Sequence, residues 1–409
     1  MATHTERLAE VEQAFHSLPR RYLGARPGFD VTYQIRLCDL GHVWEVRCTS
    51  HGAVVHKGAT RREPDVTISC DADTWMRLRG GEFSGVEAFQ RRLLGVRGNL
   101  DCAIGFEGLF RLAGERPPLL KVDEVPVGRH RISTLTMGDG PDILLLHGLG
   151  GTRASMLETA ATLSRRYRVH APDLPGFGSS SKPAVGPYNA RWFAAIMCGL
   201  LDQLGISEAH VVGNSMGGRI AIELGLSHSD RVRALGLLCP AVAWIRRGLH
   251  PIVRLLRPEL GLLPHGFRRT VVANHFWSMF HDRDAIDPAV ADLMVDEFRR
   301  IYHSAGARYA FLASARNIYL EAPFGDHGFY PRLAELGAPA LFVWGGHDPL
   351  VPAAFSRHVS KWLPGANQVT IEECGHAPQV ERAQECSELL MRFFAEAELS
   401  GPLTHAEAA

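Results

Sequence analysis

The sequence has no excess of either charge: Lys+Arg and Asp+Glu both total 44. Without a net field, nothing concentrates the chain on nucleic acid or on an anionic membrane surface. The paired arginines Arg165-Arg166 and Arg299-Arg300 are scattered and read as solvated faces. Long apolar runs are also missing. The stretch 143–146 is among the most apolar, yet it is far too short to span a bilayer. The first 21 residues are polar and helix-like, without the apolar core and cleavage site of an export signal. Cysteine is sparse and dispersed, at positions 38, 48, 70, 102, 198, 239, 374 and 386, with no C-x-x-C pair. That spacing offers no metal knuckle or redox motif. Several of these cysteines sit inside apolar strand patterns, where the thiol acts as a small buried hydrophobe. The expectation is a reduced, cytoplasmic protein with no transmembrane segment, no nucleic-acid partner, no cofactor and no metal.

What is present is an ordinary globular composition, 46% hydrophobic and 22% charged, at a length of 409 residues that exceeds one typical domain. The stretch 114–131 is rich in Pro, Gly and charge and shows no sustained periodicity, so a boundary is expected near Pro118. Residues 1–118 would form one domain and 119–409 another. The tail after Leu399 reads as disordered.

Before the boundary, Phe29, Val31, Tyr33, Ile35 and Leu37 alternate with polar residues, the period of a half-buried strand. Trp44, Val46 and Cys48 repeat the pattern, as do Val66, Ile68 and Cys70. Helices are expected at 71–78 and 85–94. Strands followed by helices imply a compact α+β domain.

Beyond the boundary, short apolar strands at 143–146, 169–171, 210–212, 235–239, 340–344 and 369–371 alternate with helical stretches at 190–204, 217–226 and 382–395. That is the signature of an α/β domain with a mostly parallel sheet covered on both faces. About 100 residues separate Cys239 from Ala340, far more than a simple crossover needs. The interval has helical stretches of its own and reads as an inserted cap at about 240–337.

The chemistry concentrates at turns after these strands. Gly213-Asn214-Ser215-Met216-Gly217 is a G-x-S-x-G sequence between a strand and a helix, and Gly218 relaxes the same corner. A turn this sharp crowds its apex, so small residues must flank the nucleophile. A serine needs an adjacent base, and the base needs orienting. Asp348, in Gly345-Gly346-His347-Asp348-Pro349, and His376, in Glu373-Cys374-Gly375-His376-Ala377, follow later strands in the order Ser, acid, His. Both lie at C-terminal strand ends, where sheets of this kind build their sites. His347 reads as a solvated neighbour. The glycine-rich loop His147-Gly148-Leu149-Gly150-Gly151 follows the first strong strand. The backbone N–H groups of Met216 and Leu149 are therefore the candidates to hold an oxyanion.

Together with Asp173-Leu174-Pro175-Gly176-Phe177-Gly178, these motifs resemble the α/β-hydrolase superfamily in both sequence and order, over roughly residues 122–397. The resemblance implies an α/β-hydrolase fold with a helical cap, and carries the family's nucleophile, acid and base onto Ser215, Asp348 and His376. Dehalogenases and epoxide hydrolases of the superfamily carry Asp at this elbow, so Ser215 argues against both. The run Gly213 to Gly218 is also similar to that of carbon–carbon bond hydrolases acting on ring-cleavage products, an elbow shared with many esterases.

In the first domain, Asp65-Val66-Thr67-Ile68, the stretch 75–81 and Arg97-Gly98-Asn99-Leu100 resemble the sterol carrier protein family over about residues 10–113. That resemblance implies a lipid-sized apolar cavity between sheet and helices. The alternative is a packed domain used for dimerisation or for covering the hydrolase.

The leading expectation is a serine hydrolase that cleaves small hydrophobic carboxylic esters or thioesters through an acyl-enzyme, with a lipid as possible ligand of the first domain. Phe276, Trp277, Phe280 and Phe311 would contribute to an apolar acyl pocket or to the core of the cap. Hydrolysis of a carbon–carbon bond in a dienol-type substrate is the second expectation. A lipid carrier with a vestigial hydrolase half is the third.

Overall fold

Strict alternation between Val31 and Leu37 becomes strand β1 (Asp30–Leu37), with Tyr33, Ile35 and Leu37 buried along one face. The computed structural model describes residues 4–60, 62–244, 257–264 and 266–399. The tail beyond Leu399 lies outside the described residues. The chain folds as two compact units, residues 1–122 with 135–137, and residues 123–134 with 138–409.

The first unit carries a five-stranded sheet in the order β3-β2-β1-β4-β5. β2 (His42–Thr49) and β3 (Gly52–Lys57) complete an antiparallel meander with β1, and β4 (Val66–Cys70) joins β1 in parallel. The helix expected at 85–94 stops at Gln90, and β5 (Leu94–Gly98) begins where the helix was expected to end. Arg92 takes a positive φ of 57°, which no helix tolerates. The R-G-N run now has a local explanation. A Cβ at Gly98 would strike the carbonyl of Asp65, and the Asn99 side chain accepts from Cys102 N–H at 3.2 Å to start helix Leu100–Gly105. Helix Ala72–Gly80 is capped by Asp71, which accepts from Thr74 N–H at 2.6 Å. Helix His4–His16 brings Phe15 between two indoles, 4.4 Å from the Trp44 ring and 4.6 Å from that of Trp75, both nearly parallel. This aromatic stack forms the centre of the unit's core.

The second unit is built on an eight-stranded sheet in the order β13-β12-β11-β10-β8-β9-β7-β6. Its strands β8 (Asp142–Leu146), β9 (Arg168–Pro172), β10 (Ala209–Asn214), β11 (Val232–Leu238), β12 (Ala340–Gly345) and β13 (Asn367–Ile371) run parallel. β8 to β12 are near-continuous apolar runs because both faces are covered, whereas β13, at the edge, is largely exposed or half-buried. This is the α/β-hydrolase fold.

The stretch read as an unpatterned linker is in part a strand. β6 (Leu120–Val127) is an edge strand, followed by β7 (His130–Met137). Alternation was hidden by a change of phase, since Leu120 and Val122 keep one period and Val125 and Val127 the other. The exposed Pro126 is tolerated because an edge strand need not donate on its outer side.

Between β11 and β12 the described residues form helices Arg269–Ser278, Pro288–Tyr302, Ala305–Leu320 and Phe329–Leu333. No helix among the described residues is long and apolar enough to cross a membrane.

Candidate active site

Ser215 sits between the last residue of β10 and the first of helix Met216–Ser227, with φ 52° and ψ −113°. A non-glycine residue held there is strained, and only surrounding bonds can keep it so. Its N–H donates to Leu238 O at 2.9 Å, and its carbonyl accepts from Ala241 N–H at 2.9 Å and Arg219 N–H at 3.1 Å. The flanking glycines are steric necessities. A Cβ at Gly213 would strike the backbone of Gly217, and one at Gly217 would strike the carbonyl of Leu146.

The structure brings Asp348 and His376 into direct contact. His376 Nδ1 lies 2.7 Å from Asp348 Oδ2, and the Asp348 side chain is completely buried. The other carboxylate oxygen accepts from the N–H groups of Leu350 at 2.7 Å and Val351 at 2.9 Å. One oxygen is thus committed to the loop and one to the imidazole, which favours a proton on Nδ1 and leaves Nε2 as the basic nitrogen. His347, next in sequence to Asp348, is exposed, and its ring stacks on His281 with centroids 3.8 Å apart.

The glycine-rich loop approaches Ser215 from β8. A Cβ at Gly148 would lie 3.0 Å from Asn214 Oδ1 and 3.4 Å from the Ser215 Cβ. Leu149 stands in the turn that follows, half-buried. Met216 opens its helix, so its N–H has no acceptor within that helix. His147 anchors the loop from below. Its Nδ1 is 2.8 Å from Gly148 O, and Nε2 accepts from Leu174 N–H at 3.0 Å, which defines a neutral tautomer. Burial lowers its pKa in keeping with that form. Leu174 belongs to the Asp173–Gly178 motif, whose role is structural. Asp173 receives N–H bonds from Arg153 and Ser179 and pairs with the buried Arg153 guanidinium at 3.2 Å. Burial alone would raise the Asp173 carboxyl, but the Arg153 charge holds it below its ordinary value.

Four residues that sequence reasoning did not single out also shape the site. His147, just described, is one. The Asn214 amide donates to Leu238 O and His376 O, both at 3.1 Å, so the residue before Ser215 ties β10 to β11 and to the histidine loop. Cys239 is fully buried at a positive φ of 43°, with its thiol against the Asp348 carboxylate. Burial, then the nearby Asp348 charge, pushes that thiol well above its ordinary pKa, so it stays neutral. Glu381 receives Gly375 N–H on Oε2 at 2.7 Å, and His281 N–H at 2.9 Å and Asp282 N–H at 2.6 Å on Oε1. With His376 N–H donating to Met279 O at 2.7 Å, this carboxylate joins the histidine loop to the segment after helix Arg269–Ser278. Nothing in the sequence marks Glu381, because its partners are backbone amides, two of them about 100 residues away. Asn214 and Cys239 carried a signal only in their positions beside the elbow and at the end of β11.

The aromatics divide into two groups. Phe280 is buried with Ile286, Ala291 and Ala377, and Phe276 and Trp277 pack against it. Phe311 instead approaches the glycine-rich loop, where a Cβ at Gly150 would lie 3.2 Å from its ring and 3.3 Å from that of Phe298.

Residues 143–389 match the alpha/beta hydrolase family, and residues 19–111 match the SCP-2 sterol transfer family. Among relatives, a pimeloyl-[acyl-carrier protein] methyl ester esterase of Aeromonas hydrophila is 30% identical over 64% of this chain and 98% of its own length. A 2-hydroxymuconate semialdehyde hydrolase of Pseudomonas putida is also 30% identical, over 67% of this chain and 94% of its own. The crystal structure of a bacterial membrane phospholipase A superposes with a TM-score of 0.57 at 28% identity, covering 68% of this chain and 87% of that one.

Proposed function

This chain belongs to the α/β-hydrolase family and carries an SCP-2 sterol transfer domain ahead of it, and from that premise we propose a serine hydrolase of hydrophobic carboxylic esters or thioesters. The observation that carries the reading is the buried His376–Asp348 pair at 2.7 Å, on loops that share the strand ends with the strained Ser215. In this reading His376 Nε2 takes the proton from Ser215 Oγ as the oxygen attacks the acyl carbon. The Asp348 carboxylate stabilises the imidazolium that results. The N–H groups of Met216 and Leu149 receive the oxyanion of the tetrahedral intermediate. The leaving alcohol or thiol takes the proton from His376, and the acyl group stays on Ser215 until water, activated by the same imidazole, releases it. Phe311 and Phe298, beside the glycine-rich loop, are the apolar surface available to an acyl chain. The first unit contributes an apolar, lipid-like ligand, a role supported by its match to a sterol transfer family.

Intact-mass measurement of the chain with p-nitrophenyl esters and candidate lipid esters tests the proposal. An acyl adduct mapped to Ser215 is expected, and ester turnover without any adduct or burst counts against it.

A second reading, carbon–carbon bond hydrolysis of a dienol-type substrate, is favoured by the 2-hydroxymuconate semialdehyde hydrolase relative. Comparing kcat/KM on a p-nitrophenyl ester and on a vinylogous diketone separates the two.

A further inference from the structure

The loops that carry Asp348 and His376 also present a second, exposed set of side chains that the proposed reaction does not use. One ligand atom from each of His281, His347 and Glu373 falls within 4.8 Å of the other two. His281 Nε2 is 2.9 Å from Glu373 Oε2, and the rings of His281 and His347 stack with an interplanar angle of 9°. The three residues come from separate segments, which only the fold brings together. His281 follows helix Arg269–Ser278, His347 follows β12, and Glu373 follows β13.

Each backbone is anchored. His281 N–H donates to Glu381 Oε1 at 2.9 Å, and His347 N–H to Cys374 O at 2.9 Å. The Glu373 carbonyl accepts from Arg382 Nε at 2.9 Å. Tethered backbones limit the freedom that the three side chains lose on binding, and the reorientation left to make is that of the stacked imidazoles.

We propose that His281, His347 and Glu373 form a binding site for a zinc-class divalent metal ion, with two imidazoles and one carboxylate as ligands and a fourth position open to water. The donor set selects the ion. Imidazole nitrogen suits zinc and its neighbours in the first transition row, whereas magnesium and calcium require nearly all-oxygen shells. Tetrahedral ligation at about 2.0–2.2 Å needs donor atoms about 3.3–3.6 Å apart and the ion in the plane of each imidazole, so one of the two stacked rings must turn out of the stack for the set to close. A bound ion staples the segment after helix Arg269–Ser278 to the acid and histidine loops. It therefore stabilises the folded chain, and it slows any turnover step in which those segments must part.

The test uses the full chain, stripped with chelator, and zinc chloride as the probe. Calorimetric titration is expected to show one saturable site of micromolar affinity, a rise in Tm with zinc, and no competition from magnesium. His281→Ala and His347→Ala should each weaken zinc binding by about tenfold or more, while Tm and ester turnover in chelator stay as in the parent. Absence of saturable binding by the parent chain overturns the proposal. So does binding that survives both histidine substitutions but is lost in Cys239→Ser, since the ion would then sit on the buried set of Cys239, Asp348 and His376. Binding is read without turnover, so this outcome is independent of whether the chain proves to be an esterase.

Discussion

Asp348 gives one carboxylate oxygen to His376 Nδ1 at 2.7 Å and the other to the N–H groups of Leu350 and Val351. The geometry makes Asp348→Asn an informative change. The amide is isosteric, but its NH2 group must face either His376 Nδ1 or two backbone donors. Either orientation costs a bond or forces the wrong imidazole tautomer. Ester kcat is expected to fall by about a hundred- to ten-thousandfold with KM little changed. His347→Ala, at the exposed neighbour, should leave kcat within about twofold of the parent. Steady-state kinetics on a p-nitrophenyl ester decides, and reversed phenotypes would move the acid to another loop.

Ser215→Ala removes the hydroxyl that the proposed mechanism acylates. Turnover should fall by at least about a thousandfold, and no acyl adduct should form. Alanine also keeps the positive φ, so Tm should change by no more than a few degrees. Purified variant with near-parental kcat would remove the nucleophile assignment.

Glu381 is a positioning residue, acting on His376 through backbone. Glu381→Ala leaves the buried N–H of Gly375 and the part-buried N–H groups of His281 and Asp282 without their acceptor, at about 1–3 kcal/mol for the buried group and less for the others. A fall in kcat of tenfold or more is expected, larger than any rise in KM. Glutamine should rescue only part of it, because one of its two terminal atoms is a donor and faces an N–H. A variant that loses Tm but keeps kcat would confine Glu381 to stability.

Acid stability should depend on Glu223. Burial opposes its charge, but bonds and charges from Arg332 and Arg219 and a bond from Ser227 lower its pKa from 4.5 to about 2. A carboxyl depressed in this way contributes stability that is complete above about 4.5 and is lost as the pH falls towards 2. Glu223→Gln should therefore flatten the decline of Tm between pH 4.5 and 2. At neutral pH it should cost about 1–3 kcal/mol, because Arg219 and Arg332 lose a charged acceptor while Arg219 keeps its bond to Glu321. An unchanged acid profile would assign the titration elsewhere.

If the first unit holds an apolar ligand, tethering keeps that ligand near the hydrolase at an effective concentration of roughly millimolar. Residues 119–409 alone should then retain activity on a short soluble ester and lose kcat/KM on a long one. Residues 1–118 should bind a fluorescent fatty acid. Equal losses on both esters would indicate a structural role instead.

Local chemistry was enough, from the sequence, to locate the strand-to-helix turn at Ser215, the parallel strands along the chain and the loops of Asp348 and His376. Each rests on a short-range constraint: apolar runs in buried parallel strands, and glycines where a Cβ would strike backbone, as at Gly213 and Gly217. The R-G-N run was legible as a pattern, but its reason, the approach of Gly98 to Asp65, belongs to the folded sheet. β6 escaped notice because its alternation changes phase at Val125. Only tertiary structure decided which polar groups meet. Glu381 finds its acceptor role through amides of the nearby histidine loop and of one distant segment, and Cys239, read as one more buried hydrophobe, faces a carboxylate. His281, His347 and Glu373 look like unrelated surface residues in the sequence. Hydrogen bonds to backbone and convergence of loops leave no periodicity, so they are visible only once the chain has brought those loops to one end of its sheet.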